Sequence, residues 1–121
     1  MRHLACTAAL ALAALGAAPA SFAANQPAAL QECVDLSPNH EAARFGTQYL
    51  LVKDGEQHFR IGLGSSCDAI VRSAAVQISA QKQSNRLCPK HTRISSRKGS
   101  CEARRVELID ARDFERYQRN R

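Results

Sequence analysis

The stretch Gln48-Tyr49-Leu50-Leu51-Val52-Lys53-Asp54-Gly55-Glu56-Gln57-His58-Phe59-Arg60-Ile61 decides how this chain reads. Asp54-Gly55 lies between two strand-like runs. Asp-Gly is a strong two-residue hairpin signal, because a type I′ turn needs positive φ at both central positions. With Lys53 facing Glu56, the register pairs Val52 with Gln57, Leu50 with Phe59 and Gln48 with Ile61. One face then carries Leu50, Val52, Phe59 and Ile61, and the other Tyr49, Lys53, Glu56, His58 and Arg60. An apolar face opposed to a mainly polar one is what a half-buried antiparallel sheet requires.

Working outward, Ala74, Val76, Ile78 and Ala80 alternate with Ala75, Gln77 and Ser79, which predicts a third strand. Gln81 to Arg86 reads as a polar loop, His91 to Ser96 as a short strand, Arg97 to Ser100 as a turn holding Gly99, and Arg104 to Ile109 as a last strand. Val106 and Leu108 share one side of that strand. Upstream, Ser37-Pro38 predicts a short helical turn through Arg44, since Ser suits an N-cap and Pro the first helical position. At the C-terminus the period changes. Asp110 is a good N-cap, Asp113 stands where a capping-box acid would, and Ile109 and Phe114 are spaced as a hydrophobic staple. A helix from Ala111 to Arg119, docked through Phe114 and Tyr117, follows. The expected fold is α+β and mostly β: a small antiparallel sheet of hairpins with a C-terminal helix, stabilised by disulfides.

Met1-Arg2-His3 followed by the alanine- and leucine-rich run Leu4 to Ala18 has the form of a signal peptide. Ser21 and Ala23 favour cleavage after Ala23, with Ala20 to Ser21 as the second choice, which leaves about 98 residues. The run is too short and interrupted for a strong membrane span, and Cys6 inside it is poorly placed for lipid attachment. The expected product is a periplasmic or secreted bacterial protein with a flexible arm over 24–32 and a single domain over 33–121.

Export leaves four cysteines, Cys33, Cys67, Cys88 and Cys101, an even number in an oxidising compartment. A domain of about 100 residues without tryptophan has a modest core. Disulfides worth roughly 2 to 5 kcal/mol each would be comparable to its whole net stability. If His91 to Ser96 and Arg104 to Ile109 form a hairpin around Gly99, Cys101 lies at its turn and Cys88 beyond its open end. At about 3.3 Å per residue they would be about 20 Å apart, whereas bridged Cα atoms lie within about 7 Å. This disfavours Cys88–Cys101 and leaves the other two pairings open.

Cys33-Val34-Asp35-Leu36-Ser37, the run His58 to Leu63 with Cys67 four residues later, Arg86-Leu87-Cys88, and Cys101 before a final strand and helix resemble a family of small exported four-cysteine bacterial proteins, catalogued as a domain of unknown function. The family shows an acidic pair where this chain has Phe45-Gly46-Thr47. The resemblance supports the fold and implies no activity.

No GxSxG, HExxH, phosphate-loop or CxxC pattern occurs. Cys88-Pro89-Lys90-His91 offers a thiol and an imidazole three residues apart, but a disulfide with an exposed His is the simpler reading. His40 and His58 read as surface residues, and no catalytic residue, metal or cofactor is expected. Charge is more informative. Residues 24–81 carry four Lys or Arg against six Asp or Glu, whereas 82–121 carry twelve against five. Arg112, Arg116 and Arg119 share a face of the expected helix, and Lys90, Arg93, Arg97 and Lys98 occupy the preceding strand and turn. These seven residues form the expected polyanion-binding surface, for an anionic envelope component such as lipopolysaccharide, nucleic acid or an acidic protein. The expected function is a non-enzymatic accessory protein. The alternative is an inhibitor of an extracellular or periplasmic enzyme, inserting the loop Gly62 to Asp68.

Overall fold

The computed structural model describes residues 26–46, 48–73 and 75–119. The expected signal segment 1–23, the start of the expected arm and Ala74 lie outside the described residues. Chain order gives β1 (Ala28–Ala29), β2 (Val34–Asp35), β3 (Glu41–Phe45), β4 (Tyr49–Asp54), β5 (Gln57–Gly62), a 3-10 turn (Ser65–Cys67), α1 (Asp68–Val71), β6 (Gln77–Ala80), β7 (Gln83–Ser84), β8 (Arg86–Leu87), β9 (Arg93–Ser96), β10 (Gly99–Glu102), β11 (Arg105–Ile109) and α2 (Ala111–Arg119). The strands make a five-stranded sheet in the order β1-β11-β5-β4-β3, a four-stranded sheet β10-β9-β6-β7 and a two-stranded β2-β8, every pair antiparallel.

The central hairpin forms in a register different from the expected one. Asp54 pairs with Gln57, Val52 with Phe59 and Leu50 with Ile61, so the two turn residues are Gly55 and Glu56. Gly55 has φ of +62° and Glu56 does not share it, which is the pattern of a type II′ turn with glycine first. The slip is two residues along β5. Because side chains alternate with period two, an even slip leaves each residue on its face. Leu50, Val52, Phe59 and Ile61 are accordingly all buried in one core.

That core lies between the two larger sheets. Leu50, Val52, Phe59, Ile61 and Val106 of the five-stranded sheet meet Ile78 and Ile94 of the four-stranded one, with Ile70 of α1 and Leu87 filling the space between. The second face of the large sheet is covered as well, contrary to the expected polar face. Leu51, only 1 % exposed, joins Ile109 and Phe114, with Phe45 and Tyr117 against them. The helix that covers this face begins as the sequence indicates. The Asp113 N–H donates to Asp110 Oδ1 at 2.7 Å, and Ile109 and Phe114 pack together.

Cys33 is bonded to Cys88 and Cys67 to Cys101, closing separations of 55 and 34 residues. Loops of that length correspond to about 4 kcal/mol each by chain entropy. The first bond fastens β2 beside β8, and the second ties the 3-10 turn to β10. The Cys88–Cys101 pairing is absent, as the geometry suggested, but the hairpin behind that inference is built differently. The partner of β9 is β10, not the last strand: Ser96 pairs with Gly99 and Ile94 with Cys101. The chain then changes sheet within one residue. The Ala103 N–H donates to Thr92 O, while the next N–H, of Arg104, donates to Gly62 O, and β11 runs on beside β5.

Three other expectations are corrected. Glu41–Phe45 is an edge strand on β4, not a helical turn. Ser37 instead donates its N–H and hydroxyl to the Asp54 carboxylate at 2.8 and 2.7 Å. Part of the expected arm is structured: Ala28–Ala29 pair with β11, and Leu30 is buried. Within the expected polar loop, Gln81 and Lys82 adopt φ of +52° and +63° between paired Ala80 and Gln83, a type I′ turn without glycine.

Two outcomes follow for stability. Lys82→Gly is expected to raise unfolding stability by about 1 kcal/mol, because a left-handed non-glycine residue costs roughly that much; urea titration measures it. The Ser37 hydrogen bonds, side chain then backbone, hold the Asp54 carboxyl below its ordinary value. The stability this adds is present above the unfolded carboxylate value of about 3.9 and is lost as pH falls through the lower native value. Ser37→Ala should move the Asp54 titration upward by NMR and flatten that acid-side loss.

Candidate functional site

The expected basic residues fall into two places. Arg97 and Lys98 form the turn between β9 and β10, where the Lys98 N–H donates to Ser96 Oγ at 3.0 Å. Ser96 Oγ also accepts from Ser73 Oγ at 3.0 Å, which fastens the residues after α1 to this hairpin. Arg72 is thereby carried to the turn. Arg72, Ser73, Ala75, Arg97 and Lys98 line a groove of about 500 Å³ that has three cations and no acid in its wall. Arg93 lies on the exposed face of the same hairpin, opposite Glu102, and donates to Ser100 Oγ at 2.9 Å. Lys90 is exposed in the bend before β9.

Arg112, Arg116 and Arg119 belong to α2, on the far side of the five-stranded sheet, and line a groove of about 380 Å³ together with Asp110, Asp113 and Glu115. Three cations there face three carboxylates. Arg116 donates to Asp113 Oδ1 at 2.8 Å. The helix is therefore close to charge-balanced, and its arginines do not share one surface with Arg97 and Lys98. Arg72 was missed because it lies in the acidic half of the chain, 25 positions before Arg97, and no sequence pattern announces the Ser73–Ser96 contact.

A second basic groove also went unread. It measures about 440 Å³ and is lined by Gln48, Tyr49, Gly62, Leu63, Arg104 and Arg105. In a straight strand adjacent side chains point to opposite faces, but the sheet change at Ala103–Arg104 turns both arginines to one groove. The doublet Arg104-Arg105 and the Gly62-Leu63-Gly64 run were the sequence signals for it. Beside this groove Arg60 donates from Nη2 to both Glu107 oxygens at 3.0 Å and from Nη1 to the Tyr117 hydroxyl, and its guanidinium stacks 4.8 Å from the Tyr49 ring centre. Burial works against the Arg60 charge, but its bonds to Glu107 and Tyr117 outweigh that and raise its pKa.

The remaining candidates have structural roles. Cys88 is in a disulfide, so it offers neither a nucleophile nor a metal ligand. His91 Nδ1 lies 2.7 Å from Glu102 on the surface. His40 Nδ1 lies 2.7 Å from Ser37 O. His58, expected on the surface, is only 8 % exposed and packs 5.0 Å from the Phe114 ring, because α2 covers its face. Among the described residues no group of three or more His, Cys, Asp or Glu is arranged to hold a metal ion. In the loop Gly62 to Asp68, Gly62, Leu63 and Cys67 are buried, Ser65 is exposed, and the 3-10 turn is tied to β10. Among the described residues no helix is long and apolar enough to cross a membrane. No protein-family model, curated protein or solved structure matches this chain.

The Arg60–Glu107 pair lies in a largely buried setting, with side chains 13 % and 15 % exposed. Removing one partner of such a pair costs about 3 kcal/mol, whereas replacing both by apolar residues is near neutral. Glu107→Ala is therefore expected to lose about that much stability, and Arg60→Met combined with Glu107→Leu to recover most of it, by chemical denaturation.

Proposed function

We propose that this protein is a non-enzymatic accessory protein of the periplasm or extracellular space that binds a polyanion at the tip of the β9–β10 hairpin. The single observation that carries the reading is the groove between Arg72, Arg97 and Lys98, where three cations converge with no carboxylate in the wall. Cations already paired within the molecule must break those pairs before they bind anything, whereas unpaired ones gain a partner outright. A phosphate- or sulfate-bearing polymer would therefore be drawn to the hairpin tip before the helix, with Arg93 and Lys90 adding to the field. Both disulfides are compatible with an oxidising compartment, and the export of the chain and its kinship with the small four-cysteine family belong to this reading.

The test is retention on immobilised heparin in a rising salt gradient, with lipopolysaccharide as a second ligand. Replacing Arg72, Arg97 and Lys98 together by Ala should lower the eluting salt and reduce the dependence of log K on log salt by about 2 to 3. Replacing Arg112, Arg116 and Arg119 together should have the smaller effect. No retention at low ionic strength, or loss of binding only with the helix variant, would overturn the proposal. N-terminal sequencing of protein recovered from the periplasm or medium is expected to begin at Ala24.

A further inference from the structure

The geometry points to a second, independent site: the groove over Gly62, between Tyr49 and the Arg104-Arg105 pair, binds a compact oxyanion, a carboxylate or a phosphate. Gly62 pairs with Tyr49 on one side and Arg105 on the other, so it sits in the middle of a row across the large sheet. A Cβ on Gly62 would come within 2.8 Å of Arg105 Cγ and 3.0 Å of its Nε, and one on Gly64 within 3.3 Å of Arg104 Cδ. Both arginine stems thus lie across bare glycine backbone. The floor is open only because two side chains are absent, and the stems that use the space are held over the groove.

Charge favours an anion. The guanidiniums of Arg60 and Arg105 share one carboxylate, Glu107, and both of its oxygens are already taken by Arg60. Arg105 reaches it only at 3.5 Å, and Arg104 makes no hydrogen bond or ion pair from its side chain among the described residues. Two guanidiniums with free donors on one wall can each offer a planar fork to an oxyanion, which is the geometry arginine supplies and lysine does not. Gln48 and Tyr49 stand opposite, with an amide and a phenol. The volume of about 440 Å³ admits a small organic acid or a phosphate ester. The site rests on the sheet change at Ala103–Arg104 and uses none of the hairpin-tip residues, so it stands or falls separately from polyanion binding.

The test is an NMR titration of the oxidised protein with inorganic phosphate and, separately, with acetate, following the amides of Tyr49, Gly62, Leu63, Gly64, Arg104 and Arg105. Saturable shifts confined to this set are expected. Stronger binding of phosphate assigns a phosphorylated ligand, and equal or stronger binding of acetate assigns a carboxylic acid. Arg104→Ala should weaken the bound anion by about tenfold, and Arg104→Lys, which keeps the charge and loses the fork, by a similar factor. Gly62→Ala should weaken it with no change of charge, by displacing Arg105; should that variant not fold, Gly64→Ala tests the same displacement at Arg104. Lys53→Ala, an exposed cation of β4 that lines none of these grooves, serves as the control and should leave the affinity unchanged. No saturable shift with either anion, or shifts that survive Arg104→Ala or are undiminished in Arg104→Lys, would overturn the site.

Discussion

Two sulfur–sulfur bonds hold the joints of this small protein that its strands alone cannot secure. Cys33–Cys88 draws the two-stranded β2-β8 ribbon together, and Cys67–Cys101 fastens the turn leaving the large sheet to a strand of the small one. Neither β2 nor β8 exceeds two residues, and strands so short have little stability of their own. Among the described residues the apolar core between the sheets holds one aromatic ring, that of Phe59, and the chain has no tryptophan. In a domain of this size the unfolded chain has almost as much entropy to lose as the core can offset, so shortening the unfolded chain's freedom at two places is what lets such short strands persist.

The second organising event is the change of sheet at Ala103–Arg104. One strand, β10, completes the four-stranded sheet, and the next, β11, takes its place in the five-stranded one between β1 and β5. A backbone that hands its hydrogen bonds from Thr92 to Gly62 over one residue must bend, and at that bend two adjacent arginines come to face the same groove. The basic character visible in the sequence is thereby divided. One part gathers at the hairpin tip with Arg72, another at the crossover over bare glycine, and a third on α2, where neighbouring acids neutralise it. Net charge alone would have weighted the three alike; the pairing within each decides which is free to engage a ligand.

What was legible in the sequence was local. The staple of Ile109 and Phe114 and the Asp110 cap fixed the helix within one turn, and period-two alternation sorted Leu50, Val52, Phe59 and Ile61 to the core even though the register slipped, since an even slip preserves parity. What was not legible was non-local. Glu41-Ala42-Ala43-Arg44-Phe45 is made largely of good helix formers behind a Ser-Pro start, yet pairing with β4 prevails. The two-residue strands β1, β2, β7 and β8 carry no period to detect. Alternation also says which residues share a face without saying what covers it, and so His58 is buried where solvent was expected, beside Leu51. The basic grooves were half legible: the Arg97-Lys98 turn stood out, while Arg72 and the crossover pair depend on contacts that only the folded chain makes.

The joints of the fold rest on the cysteines being joined as Cys33–Cys88 and Cys67–Cys101. Proteolysis of the oxidised, alkylated protein without reduction, followed by mass spectrometry, tests this directly. The account predicts one peptide pair linking Cys33 to Cys88, another linking Cys67 to Cys101, and no alkylated thiol among the four. A peptide pair joining Cys33 to Cys67, or Cys88 to Cys101, would contradict it.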